Sequence, residues 1–151
     1  MVKKGFTIIE IVIVIAILSI LSAISMVTFM SFKNTNGINK DSEAVVELLQ
    51  QARTQTLASQ NASVYGVHFG TTSVTLFTGS TYTAGVSTNE VYKFLSADTV
   101  LSVTLTGGGN DVIFSRLTGE TTQNGTIVIS STAASITRTV TVYKTGVIEF
   151  K

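Results

Sequence analysis

Glu10 is the only charged side chain between residues 6 and 32, in a stretch of 27 residues built otherwise from apolar and small polar side chains. A carboxylate placed at mid-bilayer costs about 3 kcal/mol, so a sequence that keeps one there has a use for it. Gly5 and Phe6 lie just upstream, behind the basic start Met1-Val2-Lys3-Lys4. A cut between Gly5 and Phe6 removes both lysines and leaves a free α-ammonium on Phe6. That cation suits the Glu10 carboxylate of a staggered neighbouring helix. In low dielectric such a pair is strong, and an unpaired carboxylate is penalised. Within its own chain, Glu10 sits near the positive end of the helix dipole.

Other residues that could do chemistry point elsewhere. Asp41, Glu43 and Glu47 crowd one short stretch, but nothing in nearby sequence joins them as a metal site. They are read as a solvated helix face whose acids suit the dipole at a helix start. His68 is the single histidine and stands between Val67 and Phe69 without a serine–acid constellation, so it is expected on a solvent-facing strand. "GGGND" (residues 107–111) lacks the lysine and following helix of a phosphate loop and the repeated acids of a calcium loop, and reads as a hairpin turn. The chain has no cysteine, which excludes disulfides, thiolate metal sites and a thiol nucleophile. No enzyme, no cofactor and no metal site is expected. With 151 residues, a formal charge of +1 and 13% charged residues, the chain carries no general basic field for nucleic acid.

These residues must be held by four segments. Residues 1–5 are a leader. Residues 6–32 form an apolar helix of roughly 40 Å, enough to cross a bilayer, with Lys3 and Lys4 holding its start on the cytoplasmic side. Ala16, Ser19, Ser22 and Ser25 recur every three residues, with Ala23 four after Ser19, and small side chains let helices approach closely. A secretory signal with a small-residue cut near residues 22–25, or a plain anchor, also accounts for the apolar run. Neither accounts for Glu10. Residues 33–60 comprise a hinge or loosened turn at "KNTNGINK" (33–40), rich in poor helix formers, and an amphipathic helix over 41–60 with Val45, Leu48, Leu49, Ala52 and Leu57 at helical spacing. Residues 61–151 alternate in strand fashion between Gly-rich turns, giving an antiparallel sheet of roughly six to eight strands. The fold class is therefore α+β: a long N-terminal hydrophobic helix, then an amphipathic helix packed on an antiparallel β-sheet. The polar stretch 78–89 reads as an exposed loop.

"KKGFTIIEIVIVIAILSIL" resembles the start of type IV prepilins and type II secretion pseudopilins, with a short basic leader, Gly then Phe, Thr-Ile-Ile-Glu and a long apolar helix. The resemblance implies that a membrane prepilin peptidase cuts after Gly5 and N-methylates Phe6, and that Glu10 is the family's assembly glutamate. The helix-kinking proline often found near residues 26–29 is absent, which favours a continuous helix to about residue 32. "LLQQARTQTL" with Arg53, "VIFSRLTGE" and the closing "TVTVYKTGVIEF" resemble the H-type minor pseudopilin domain, also found in some minor pilins. Some of those bind DNA through arginines in the last hairpin. Here that place reads Lys144, Gly146 and Glu149, with Arg138 earlier, so no nucleic acid is expected.

The resemblance implies a structural subunit, processed, then polymerised through residues 6–32 into a type IV pilus or a type II secretion pseudopilus. Its implied partners are the inner membrane, other pilin or pseudopilin subunits, the peptidase and an assembly platform. It would be single-pass, with the C-terminal domain outside. The alternatives are a secreted or anchored β-rich binding module, or a DNA-binding minor pilin.

Overall fold

The computed structural model of the protein describes residue 5 and residues 7–95, 99–132 and 135–151, with the backbone alone at Val27 and Thr28. Of the expected leader and cut, only Gly5 is among them. Residues 1–4 and the methylation site Phe6 lie outside the described residues. The chain divides into two units, Met1–Lys33 and Asn34–Lys151.

One helix, α1, runs over Ile8–Leu57. Residues 33–40, where the sequence predicts a hinge, are helical throughout. Tertiary contacts explain the difference. Ile38 is fully buried, and Asn39 Oδ1 accepts a 3.0 Å hydrogen bond from Arg138 Nη2. Such contacts outweigh the penalty of up to about 1 kcal/mol per residue that Asn and Gly carry in a helix. The same bond accounts for Arg138, whose guanidinium ties a strand to α1.

The second unit holds the rest of the architecture. Its strands are β1 (Tyr65–Phe69), β2 (Ser73–Thr78), β3 (Glu90–Lys93), β4 (Thr99–Leu105), β5 (Asp111–Ile113), β6 (Gly125–Ser131), β7 (Ile136–Val142) and β8 (Ile148–Phe150). The expected α+β class is present, and its strands are divided between two sheets. One has the order β3-β2-β1-β5 and the other β4-β6-β7-β8, with every pairing antiparallel. The chain passes between the sheets after β3, after β4 and again after β5. "GGGND" thus carries the chain from one sheet to the other and is not a hairpin. Its three glycines take φ of 86°, 74° and 83°, a region that side chains disfavour.

Alternation sets the core. In β6, Ile127, Ile129 and Ser131 point inward, and Val140 and Val142 of β7 join them. The helical spacing of Val45, Leu48, Leu49 and Ala52 lays one buried face of α1 into this cluster. Leu57, expected on that face, stays 38% exposed. β1 is covered on both sides. Gly66 lies so close to the Phe77 ring that a Cβ would stand 2.7 Å from it.

Candidate functional site

Three groups of residues carry chemistry. The first is the start of α1. Gly5 is exposed and non-helical, and a Cβ there would meet nothing within 4 Å. Thr7 opens the helix: its Oγ1 accepts the Glu10 N–H at 3.3 Å, and its carbonyl accepts the Ile11 N–H at 3.3 Å. A threonine followed three residues later by glutamate is the spacing of a capping box. That signal was legible in the sequence and was missed. Glu10 stands exposed in the first turn between exposed Ile9 and Ile11. No ion pair engages it among the described residues. The first-turn helix dipole favours its negative charge.

From Ile11 to Phe32 the helix carries no charged residue. The large hydrophobic side chains described between Ile8 and Phe32 are 47–86% exposed. The most apolar 18-residue window has a mean hydropathy of 2.8, and none of it is buried, so α1 is long and apolar enough to cross a membrane. At about 100° per residue, Ala16, Ser19, Ser22 and Ala23 fall within a sector of about 120° on one side of the helix. Ser25 drifts outside it. Ser19, Ser22 and Ser25 donate their hydroxyls to the carbonyls of Ile15, Leu18 and Leu21 at 2.8, 2.7 and 2.9 Å. Each hydroxyl is satisfied within its own helix, so this surface can meet an apolar environment without an orphaned donor.

A second group centres on Asp41. Its carboxylate is fully buried, which corrects the expectation of a solvated acid. Oδ1 accepts from Tyr92 Oη at 3.0 Å and from the Leu95 N–H at 2.8 Å, and Oδ2 accepts from Thr99 Oγ1 at 2.9 Å. Burial and then the Asp41 carboxylate push the Tyr92 phenol up to about 12. The effect is mechanical: α1 is tied to Tyr92 of β3, to Leu95 and to Thr99 at the start of β4, and between these two strands the chain changes sheets. Glu43 and Glu47 remain exposed, as expected of a solvated face.

His68 forms the third group. It is half-buried and not a bare solvent-facing residue. Its Nδ1 lies 2.5 Å from Asp111 Oδ1. Its ring stacks on Tyr82 at 3.8 Å with an interplanar angle of 4°. Tyr82 also meets Phe77 edge-on at 5.6 Å, so the polar stretch 78–89 is pinned over the outer face of the first sheet. No group of three or more metal-ligating side chains occurs among the described residues. No serine or threonine hydrogen-bonds His68 among them either, and the dyad works as a clamp.

Residues 1–26 match the prokaryotic N-terminal methylation motif, and residues 41–146 match the type II transport protein GspH. The fold is similar to the crystal structure of the type IV minor pilin FimU of Pseudomonas aeruginosa, with a TM-score of 0.59 and 14% identity over 80% of this chain and 92% of that one. At that identity the likeness speaks for the fold alone. No curated protein matches the chain. The GspH match spans more than two thirds of the sequence, and the chain belongs to the GspH family of type II transport proteins.

Proposed function

We propose that the protein is a non-enzymatic structural subunit, made as a single-span inner-membrane precursor. A prepilin peptidase cuts it between Gly5 and Phe6 and methylates the new Phe6 amine. An assembly platform then draws it into a type IV pilus or type II secretion pseudopilus as a minor component. The observation that carries this reading is the exposure of every described apolar side chain over residues 8–32. A helix that is hydrophobic all round needs a lipid or protein environment on every side. Lipid supplies it before assembly, and a bundle of neighbouring helices supplies it afterwards, with Ala16, Ser19, Ser22 and Ala23 permitting close approach.

Glu10 supplies the selection step. Unpaired, its carboxylate is costly at the membrane. Paired with the Phe6 α-ammonium of the next subunit, it becomes part of the filament's axis. Conversion of Glu10→Gln keeps the shape and removes the charge. The variant should be processed and should keep its C-terminal unit folded, yet enter filaments at a small fraction of the wild-type amount, measured by immunoblot of sheared filaments. Wild-type incorporation would remove Glu10 from the assembly mechanism.

A further inference from the structure

A groove of about 310 Å³ lies within the second unit, between one face of α1 (Gln50, Arg53, Thr54) and the turn and strand at Gly146, Val147 and Ile148. Its chemistry is not accounted for by the helix or by the Asp41 and His68 clusters. Arg53 is half-buried and held from behind by one long bond, Nε donating to Gly119 O at 3.4 Å. Gly146 closes the packing. A Cβ there would stand 1.8 Å from Gly119 O and 2.8 Å from Arg53 Nε, so the turn, the carbonyl and the guanidinium are interlocked. No acid pairs with Arg53 among the described residues, and its two terminal nitrogens remain available for a planar, two-pronged contact with a carboxylate.

The opposite wall is a free strand edge. β8 ends its sheet. Lys151 exchanges both main-chain bonds with Thr139, and Tyr143 N–H donates to Val147 O. Antiparallel pairs alternate between bonded and non-bonded. Ile148 and Phe150, opposite Val142 and Val140, are therefore the non-bonded residues, and their N–H and C=O groups point away from β7. An edge of this kind is a template for another strand. Half-exposed Val147 adds an apolar rim.

We propose that this groove takes an extended peptide segment bearing a carboxylate, contributed by another subunit, which pairs with the β8 edge and seats its acid on Arg53. That the donor is another subunit rests on the assembly reading above; the groove's preference for an acidic strand does not. Backbone pairing selects a peptide over a free anion, and the unpaired guanidinium selects an acidic one.

The test uses the isotopically labelled full chain in detergent micelles, where no filament forms, so its outcome is separate from that of the Glu10 experiment. The probes are acetyl-Thr-Val-Glu-Val-amide, the same peptide with Gln for Glu, and the Glu peptide N-methylated on alternate residues. The Glu peptide should shift the amide resonances of residues 146–150 and the Arg53 Nε–H in a saturable way. The Gln and N-methylated peptides should each need about tenfold more for half-saturation. Arg53→Gln should abolish the preference for Glu over Gln, and Arg53→Lys should keep part of it; amide dispersion reports that each variant is folded. Equal binding of all three peptides, shifts spread elsewhere, or no saturable shift overturns the proposal.

Discussion

Leu18 and Leu49 belong to the same helix, yet Leu18 is 56% exposed and Leu49 is fully buried. Around Leu49 the chain supplies its own apolar surroundings from both sheets. Around Leu18 the described residues supply none. The hydrophobic effect acts on both residues alike, so the difference marks where the missing partner must come from outside the chain. Polar bonds that reach beyond the helix are found on the second unit's side chains. In the first unit Ser19, Ser22 and Ser25 bond their own helix turn, as Ser42 and Thr54 do in the second. In the second, Asp41 and Thr56 reach across to strands.

The contrast breaks most directly on paired substitutions. Leu49→Ala should lower the unfolding free energy of the second unit by about 3 kcal/mol, while Leu18→Ala should change it by less than about 0.5 kcal/mol, in chemical denaturation of the full chain in micelles. A large effect at Leu18 would mean that the first unit is packed by the chain itself. Asp41→Ala comes next. It strands the hydroxyl of Tyr92, the Leu95 N–H and the hydroxyl of Thr99, and should cost about 2 kcal/mol by the same assay. Thr56 sharpens the polar comparison. Its Oγ1 donates to Ala52 O at 2.8 Å and also accepts the Tyr65 N–H at 3.0 Å. Thr56→Val should cost about 1.5 kcal/mol by leaving that buried N–H unpaired, whereas Ser22→Ala should leave the helix content read by circular dichroism unchanged.

The smallest expected effect is a pH dependence. The folded Tyr92 holds its proton up to about 12, above the ordinary 10.0. Below pH 10 both states carry that proton and the Tyr92 contribution is fully present. Above it the unfolded chain releases the proton first, so stability falls as pH rises through the window from 10 to about 12. The difference between wild type and Tyr92→Phe in thermal unfolding should shrink across that window. Solvent at the half-exposed ring screens the term and keeps it small. A constant difference would detach Tyr92 from the Asp41 cluster.

The sequence displayed some of this plainly and hid the rest for a physical reason. Glu10 and the apolar helix were legible because a charge inside an apolar run is a local anomaly, readable without knowing any contact. The buried face of α1 was legible because helical spacing is local too. The role of Asp41 was not, since its three donors lie 51, 54 and 58 positions away, and an acid on a helical stretch looks the same in sequence whether solvated or buried. His68 and Asp111 are likewise 43 positions apart. Strand patterning revealed where strands lie, and alternation marked the inward residues of β7, but neither showed which strands pair. That is why "GGGND" looked like a hairpin although β4 and β5 lie in different sheets. The helical conformation of residues 33–40 was hidden in the same way, because Arg138, which bonds Asn39 across 99 positions, outweighs local propensity.

The central claim is that the exposed apolar helix is a processed assembly element whose new amino end answers Glu10. Intact-mass and N-terminal fragment analysis of the protein recovered from extracellular filaments tests it most directly. The account predicts a chain that begins at Phe6 with one methyl group on its α-nitrogen. A filament-borne chain that retains Met1 to Gly5, or that begins near Met26, would contradict it.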